Sequence, residues 1–447
     1  MTVFKVLPDI WSVGVSDWDV RFFHGPSCST HRGTTYNAYL IADEKVALVD
    51  TVHRPFAPEL VNNLGQVLGE GKIDYVIVNH IEPDHSGSLP EIMKLYPQAT
   101  VVCTAKAREG LKSYYGGNWT WKIVKTGDSL ELGQHTLHFI ETPMMHWPDN
   151  MVTFIPQKQI LLSNDAFGQH LAWSHPFDDQ NDMEVIMAEA TKYYANILTP
   201  FSKIVAKKLQ EIAAMNLDIK IIAPGHGIIW RSHPDKILAA YGRWANAEAG
   251  EKVLIVYDTM WGSTEKMARA ILDGIARAGI PAALFKAAVS DRNDIMAQFL
   301  EAKAVVVGSS TINNDMLVPV AAFLEELRGL RPAGKLGAAF GSHGWRGGAV
   351  ESIEKQLTEA KIALAMDSLK VQWAPDEDFL QQCRDWGFAL AAKEDKIRLT
   401  VSFSQKRMGV MASMSYWAVR RYFLSSSKCS LDASPCKSVK WWRISCR

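Results

Sequence analysis

Short apolar segments separated by polar turns occupy the first third of the chain. The runs 35–41 and 46–50 flank the polar turn 42–45, a pattern that predicts a β-hairpin. Residues 58–68 follow a helical period and begin with a proline, which suits the first turn of a helix. Further strands are predicted over 75–78, 99–103, 121–124 and 135–141. Strands that alternate with helices in this way predict two sheets with helices on their outer faces.

The hydrophobic pattern changes after a linker near residues 246–250. From residue 252 onward, apolar runs typical of buried parallel strands alternate with amphipathic segments. The predicted strands are 252–257, 282–286, 302–308, 336–341 and 363–371, and the predicted helices are 264–278, 319–330, 349–360 and 376–392. This alternation predicts a doubly wound, five-stranded parallel sheet, which binds ligands at the carboxyl ends of its strands. We therefore divide the α/β chain into domains 1–249 and 250–397, followed by a tail over 398–447.

Four potential metal ligands fall within six residues directly after the apolar run 75–78. They are His80, Glu82, Asp84 and His85. Residues two apart on an extended segment point to the same side, so the first three are predicted to converge and the fourth to turn in as the strand ends. A single histidine at a strand end is more often an ordinary polar residue, but crowding four such groups without a metal would be costly. The spacing favours two metals over one.

Three further ligand candidates each lie where an apolar run gives way to a polar loop. His146 follows the run 135–141, and Asp165 follows the run 160–164. His226 stands between two glycines, which let the backbone come close to whatever the imidazole holds. With one bridging carboxylate, the seven candidates give each of two metals four protein ligands.

Three loops of the second domain form a candidate anion-binding site. The first loop opens a helix, whose free N–H groups and hydroxyl side chains make a cradle. The absence of a Walker lysine and of a GxGxxG motif argues against ATP and NAD. An ordinary helix cap would explain the first loop alone, but two later loops follow strands of the same sheet, as a flavin pocket requires. The candidate residues are Thr259, Met260, Trp261, Gly262, Ser263, Thr264, Ser309, Ser310, Thr311, Ile312, Asn313, Asn314, Ser342, His343, Gly344, Trp345, Gly347 and Gly348.

Charge and cysteine content narrow the class of protein. The 48 basic and 48 acidic residues balance, so no global field favours nucleic acid or a membrane surface. The tail 398–447 is basic, with Asp432 as its single acid, and is predicted to be a poorly packed extension, with a docking or anion-binding arm as the alternative. No transmembrane run and no secretory signal are recognised. Six cysteines without a CxxC pair fit a reduced, cytoplasmic location.

The metal pattern resembles that of the metallo-β-lactamase superfamily, in which a strand ends in HxHxDH and single His, Asp and His residues follow. The usual members are zinc hydrolases with an αββα sandwich. Here Glu82 replaces the second histidine, and an oxygen-rich site favours iron or manganese. The second domain is similar to short-chain flavodoxins, which implies FMN, with Trp345 beside the flavin ring. Together the two domains resemble the flavodiiron proteins over residues 3–395, including the segments 164–170 and 193–198.

The flavodiiron resemblance implies an oxidoreductase. A non-haem diiron site would reduce O2 to water, NO to N2O, or both, with electrons supplied through FMN. The implied ligands are, for one iron, His80, Glu82 and His146, and, for the other, Asp84, His85 and His226, with Asp165 as the bridge. The residues that would tune substrate binding or proton supply, or serve only for packing, are His24, His170 and Tyr194.

The same resemblance implies partners. It implies a head-to-tail homodimer, alone or as a dimer of dimers, in which the FMN of one subunit lies beside the diiron site of the other. The chain lacks the paired CxxC motifs of a rubredoxin domain, so the expected electron donor is external, such as rubredoxin or a flavin reductase. Two alternatives stay open: a dizinc hydrolase with an appended flavodoxin domain, and an electron carrier with a vestigial metal site.

Overall fold

Two β-sheets packed face to face form the first part of the protein. The computed structural model describes residues 3–392, so the predicted basic tail 398–447 lies outside the described residues. The strands of this part are β1 (Phe4–Leu7), β2 (Ile10–Ser12), β3 (Val15–Asp17), β4 (Phe22–Phe23), β5 (Cys28–Ser29), β6 (Thr34–Tyr36), β7 (Tyr39–Ile41), β8 (Ala47–Val49), β9 (Tyr75–Ile77), β10 (Thr100–Cys103), β11 (Thr120–Ile123), β12 (Ser129–Glu131), β13 (Thr136–Glu141), β14 (Met151–Ile155), β15 (Ile160–Asn164) and β16 (Ile221–Pro224). Its helices are α1 (Ala57–Leu68), α2 (Pro83–Ser86), α3 (Leu89–Leu95), α4 (Ala105–Tyr115), α5 (Met183–Tyr193), α6 (Ser202–Ala214) and α7 (Pro234–Ala245).

These two sheets are the central layers of a sandwich. One sheet has the order β1-β2-β7-β8-β9-β10-β11, and the other has the order β12-β13-β14-β15-β16. Apolar side chains of both sheets meet in one core, among them Val102 from the first and Phe139 from the second. Helices α1, α3 and α4 cover the outer face of the first sheet, and α5, α6 and α7 cover that of the second. The predicted αββα sandwich is confirmed.

A parallel sheet with helices on both faces forms the second part. Its strands are β17 (Val253–Tyr257), β18 (Ala282–Lys286), β19 (Ala304–Ser310), β20 (Leu336–His343), β21 (Ala363–Leu364) and β22 (Leu369–Gln372), and its helices are α8 (Ser263–Arg277), α9 (Arg292–Glu301), α10 (Val318–Leu330), α11 (Ala349–Glu359) and α12 over 377–392. The central order β18-β17-β19-β20 is parallel throughout. Helices α8 and α12 pack on one face, and α9, α10 and α11 on the other. The predicted doubly wound sheet is therefore confirmed.

Two local features of this sheet differ from the sequence prediction. The single strand predicted over 363–371 is split, because β21 pairs with the start of β20 and β22 with its end. Between them the chain leaves the ladder, and the carbonyl of Asp367 accepts a hydrogen bond from Trp386 Nε1 of α12. The sheet thus has six strands in five lateral positions. Helix α9 was not predicted; Asp291 caps it by accepting a hydrogen bond from the backbone of Asp294.

No helix within residues 3–392 combines the length and the apolar character that crossing a membrane requires.

Candidate functional site

The loop after β9 carries four of the predicted ligands, although not in the predicted geometry. β9 ends before His80, and the chain then turns into the short helix α2. His80 and Glu82 precede this helix, whereas Asp84 and His85 lie on it. The prediction that an extended segment points His80, Glu82 and Asp84 to one side is wrong. The helical turn instead directs the last two ligand candidates into a second group.

The other three ligand candidates lie in loops at the ends of neighbouring strands. His146 lies between β13 and β14, Asp165 directly follows β15, and His226 follows β16. Because β15 and β16 are adjacent and parallel, their ends bring Asp165 and His226 together. Gly225 lets the loop after β16 pass close to His85, since a Cβ there would lie 2.7 Å from Cε1 of His85.

Asn37 holds the loop that carries His226. Its Nδ2 donates to the carbonyls of Pro224 and Gly227, at 2.9 and 3.0 Å, and its backbone N–H donates to the carbonyl of Gly225. The predicted strand 35–41 is interrupted at this point, between β6 and β7. At this interruption Asn37 bonds to the end of β16 and to the loop that follows it.

One group of ligand candidates consists of His80, Glu82, His146 and one oxygen of Asp165. Nε2 of His80 lies 3.3 Å from Glu82 Oε2 and 3.5 Å from Asp165 Oδ2. Nε2 of His146 lies 3.3 Å from each of the same two oxygens. The side chains of Glu82 and His146 keep 12% and 9% of their surface exposed, whereas His80 is fully buried. This group is therefore less deeply buried on the side of Glu82 and His146 than on the side of His80.

The second group consists of Asp84, His85, His226 and the other oxygen of Asp165. Nε2 of His85 lies 3.2 Å from Asp84 Oδ2 and 2.9 Å from Asp165 Oδ1. Nε2 of His226 lies 3.0 Å from Asp84 Oδ2 and 3.6 Å from Asp165 Oδ1. Asp165 therefore directs one carboxylate oxygen to each group, as a bridging ligand would.

These distances fit two metal ions. Metal–ligand bonds of about 2.1 Å at angles near 90–110° separate neighbouring ligand atoms by roughly 3.0–3.4 Å. Oδ1 of Asp84 and Oδ2 of Asp165 are buried and have no hydrogen-bond partner among the described residues. Such oxygens carry a large desolvation cost unless they are paired or coordinate a metal. Each group offers two imidazole nitrogens and two carboxylate oxygens, a set that suits iron better than an all-imidazole site does.

The charges of the two groups also favour metal binding. Burial alone would raise the pKa of Asp165, but the charge of the His85 imidazole and its hydrogen bond to Oδ1 hold that pKa well below its usual range. Burial alone would lower the pKa of His85, but the charges of Asp84 and Asp165 raise it to about 9. The carboxylates thus draw positive charge into the site, which a metal cation supplies at close range.

Asp149, a residue that the sequence did not single out, fixes the orientation of His80. Its Oδ2 lies 3.0 Å from His80 Nδ1 and accepts a hydrogen bond from the backbone N–H of Ile81 at 2.9 Å. A carboxylate on the far nitrogen of a ligating histidine fixes the tautomer and raises the basicity of the ligand. The only sequence signal was an acidic residue close to His146 in the loop before β14.

We expect Asp149→Asn to lower the affinity of the first metal group by about 10–100-fold, because the amide no longer supports the imidazole as an anion does. Metal content measured against a competing chelator checks this. Asp43→Asn is the matched control, since Asp43 Oδ2 lies 2.9 Å from His135 Nδ1 in a pair outside both metal groups. Equal affinities for Asp149→Asn and the unaltered chain would contradict the assignment of His80 as a ligand.

Two of the three residues predicted to tune the site lie beside it. Nε2 of His24 lies 2.9 Å from Glu82 Oε1. Nδ1 of His170 lies 2.9 Å from Thr34 Oγ1, and its ring centroid is 4.9 Å from that of His226. Burial lowers the pKa of His170 well below its usual value, so this imidazole is neutral.

The third residue, Tyr194, makes its contacts away from the metal groups, in keeping with the packing role that the sequence left open for it. Its hydroxyl lies 3.1 Å from Ser202 Oγ, and its ring packs against Tyr241 and Trp244. Tyr193 faces the site instead, with its ring centroid 5.0 Å from that of His170. Neighbouring residues on a helix point about 100° apart, and a pair of tyrosines gives no sequence signal that decides which one faces the metals.

The predicted flavin residues all lie at the carboxyl edge of the parallel sheet. They lie in the last residues of β19 and β20, in the loops after β17, β19 and β20, and in the first turn of α8, and these three strands are neighbours in the sheet. The hydroxyl of Thr264, in the first turn of α8, lies 2.9 Å from the hydroxyls of both Ser310 and Ser342. Gly262 has a φ of +89° directly before α8, a conformation that favours glycine. This opening of the helix exposes backbone N–H groups that suit a phosphate group.

Aromatic side chains border this edge of the sheet. Trp261 and Trp345 are 94% and 88% exposed. Large aromatic side chains this exposed often mark a binding site for a ligand or a protein partner. Trp373, which the sequence analysis did not select, lies near Trp345, with ring centroids 6.5 Å apart. Trp373 directly follows β22, and the other loops were selected because they follow strands of this sheet. The same criterion would also have selected Trp373. Ser309, one of the predicted flavin residues, lies buried within β19, and its hydroxyl accepts a hydrogen bond from the backbone N–H of Leu317.

The fold and the two sites define a class: a metallo-β-lactamase-like domain with an oxygen-rich dinuclear site, followed by a flavodoxin domain. Residues 34–227 match the protein family described as ODP family beta lactamase, and residues 255–387 match flavodoxin. The chain is similar to a nitric oxide reductase of Moorella thermoacetica, with 54% identity over 86% of this chain and 97% of that protein.

Solved structures agree with this class. The rubredoxin oxygen:oxidoreductase of Desulfovibrio gigas is 34% identical, with a TM-score of 0.85 over 88% of this chain and 98% of the other. The flavodiiron protein of Giardia intestinalis is 37% identical, with a TM-score of 0.84 over 88% of this chain and 96% of the other. The chain belongs to the flavodiiron protein family and is an oxidoreductase.

Proposed function

We propose that this protein reduces NO to N2O, O2 to water, or both, at a non-haem diiron site that receives electrons through FMN. The observation that carries the proposal is the placement of Asp165, which directs one oxygen to each of two groups of buried imidazoles and carboxylates. Bound iron supplies electrons to the gas, and bound FMN takes electrons from a carrier and passes them on. The names of the relatives favour NO in one case and O2 in another.

In this proposal the chain holds the irons and shapes the gas pocket. The two ligand sets are those predicted from the sequence, with His80, Glu82 and His146 on one side of Asp165 and the remaining three ligands on the other. His24 donates toward Glu82 and keeps that carboxylate oriented. His170 and Tyr193 line the side of His226 with buried rings, which keep bulk water from the site.

We further propose that FMN binds at the carboxyl edge of the flavodoxin sheet, with its phosphate at the start of α8. The cluster of hydroxyls around Thr264 and the exposed ring of Trp345 support this placement. A head-to-tail dimer, alone or paired into a dimer of dimers, would cover the exposed tryptophans and bring this edge to the partner's metal site. An external donor such as rubredoxin or a flavin reductase would then supply the electrons, in the cytosol, where the buried thiols of Cys28, Cys103 and Cys383 stay reduced.

The dizinc hydrolase is the competing function, and Glu82 argues against it. The carboxylate stands where the hydrolase pattern has a histidine, and it lies within 3.3 Å of both imidazoles of its group. A hydrolase would also leave the flavodoxin domain without a role. A carrier with a vestigial metal site fits poorly as well, because all seven predicted ligands come together in two complete sets.

The test combines metal analysis with gas reduction. The purified protein is expected to contain iron and FMN, and its reduced form is expected to react with NO, with O2 or with both in anaerobic stopped-flow mixing. Comparing the two rates also decides the preferred gas. Zinc in place of iron, together with no consumption of either gas when a reductase is supplied, would overturn the proposal.

A further inference from the structure

One residue of the flavodoxin domain is buried against the metal-binding domain. Asn293 lies in the first turn of α9 and keeps only 6% of its surface exposed. The described residues up to 391 form one compact unit, so the contacts of this residue join the two domains within it. Its amide contacts two separate segments of the metal-binding domain, and each segment adjoins side chains that lie beside the metal groups.

The first segment is the hairpin of β4 and β5. Oδ1 of Asn293 accepts a hydrogen bond from the backbone N–H of Ser29 at 2.8 Å, and its Nδ2 donates to the carbonyl of Ser27 at 2.9 Å. Asp291 adds a bond from the hydroxyl of Ser29, also at 2.8 Å. These bonds connect β5, and Ser27 just before it, to the start of α9.

The opposite strand of that hairpin carries residues of the site. β4 pairs with β5 so that Phe22 faces Ser29 and Phe23 faces Cys28. The ring of Phe23 lies 4.5 Å from that of His170, and the next residue is His24, which contacts Glu82. A shift of β5 would therefore move Phe23 and His24 over the metal groups.

The second segment is the end of α5 and the π-helical turn over Tyr194–Leu198. Asn196 and Asn293 exchange two hydrogen bonds: Nδ2 of Asn293 donates to Asn196 Oδ1 at 2.8 Å, and Nδ2 of Asn196 donates to the carbonyl of Asn293 at 3.1 Å. Nζ of Lys192 lies 2.6 Å from Asp294 Oδ1. Tyr193, whose ring faces the site, stands between these two anchors.

We propose that Asn293 is a positioning residue for gas reduction. The flavodoxin domain, through Asn293 and its neighbour Asp294, sets the position of Phe23, His24 and Tyr193 over the metal groups. Besides binding FMN, this domain then shapes the gas pocket of its own subunit. The inference rests on the proposed function, but the anchoring of the two segments can be measured by amide exchange without any turnover.

The test uses the full, cofactor-loaded protein with Asn293→Ala. The KM for the gas is expected to rise about five- to thirtyfold, the range that one or two kcal/mol produces, while kcat, FMN content and iron content change little. Backbone amide exchange is expected to increase over 22–29 and 193–198, the two anchored segments. His24→Ala should raise KM less in the Asn293→Ala background than alone, because residues that act through one another are not additive.

Arg292→Ala is the matched control. Arg292 precedes Asn293 on α9 and is about half exposed, and its Nε donates to Glu326 Oε2 at 3.1 Å, a carboxylate that Asn293 also contacts. It contacts neither anchored segment, so we expect KM and amide exchange to match those of the unaltered protein. Equal changes in both variants would reduce Asn293 to a general stability role and overturn the proposal.

If Asn293→Ala does not fold, Lys192→Met provides a second test. This variant removes the ion pair between Lys192 and Asp294, beside Tyr193. It is expected to raise KM and the exchange of 193–198, and unaltered values of both would overturn the proposal. Failure of the proposed function looks different. In that case the unaltered protein consumes neither gas, while Asn293→Ala still loosens the two segments.

Discussion

Asp165→Asn is expected to reduce the iron content from two ions per chain to one or fewer and to lower gas reduction by at least about a hundredfold. The side chain is buried, and each of its oxygens faces a different pair of imidazoles. Asparagine keeps one oxygen and replaces the other with an N–H group, which cannot bind a metal. One metal group therefore loses its fourth ligand, and both lose the shared negative charge.

Metal analysis, FMN absorbance and anaerobic turnover of Asp165→Asn measure these effects. Asp178→Asn is a suitable control, because Asp178 is an equally buried carboxylate of the same domain whose partners are the backbone N–H groups of residues 231–233. The control is expected to keep both irons and its FMN. Two irons and normal turnover in Asp165→Asn would rule out the bridging role.

Glu82→His is expected to shift the first metal group from iron toward zinc and to abolish gas reduction, with FMN retained. The change converts a set of two imidazoles and two carboxylate oxygens into three imidazoles and one oxygen, which is closer to the donor set of zinc hydrolases. Growth with equal iron and zinc, followed by metal analysis of the purified variant, measures the shift.

Glu82→His also removes the contact with His24, so that contact needs its own variant. His24→Ala is expected to keep two irons, since His24 lies 2.9 Å from the carboxylate without belonging to either metal group. If Glu82→His retains two irons and full reductase activity, the carboxylate does not decide the metal.

The sequence predicted which residues form the metal site better than it predicted their arrangement. Seven ligand candidates stood out because polar residues that follow apolar strands are unusual when they cluster, and all seven come together in the structure. The division of the His80–His85 segment between two groups depends on the helical turn of α2, and four residues carry too weak a helical pattern to predict it.

Residues that act through packing left no pattern in the sequence. Tyr193 and Tyr194 are indistinguishable until the packing of α5 shows which one faces the site. Asn293 lies more than 260 residues from Ser29, its hydrogen-bond partner. Such distant contacts depend on how two domains pack together, and the hydrophobic period of the sequence carries no information about that packing. The split of the last strand, where the carbonyl of Asp367 accepts a hydrogen bond from Trp386 of α12, likewise had no signal in the apolar pattern.

The close packing of carboxylates and imidazoles makes metal uptake a proton-release reaction. The carboxylates raise the pKa of His85 to about 9, so at neutral pH this ring carries a proton when no metal is bound. An imidazole must lose that proton before Nε2 can coordinate, and the proton passes to the solvent. Metal and proton thus compete for the same nitrogen, and acidification of the surroundings would favour release of the metal.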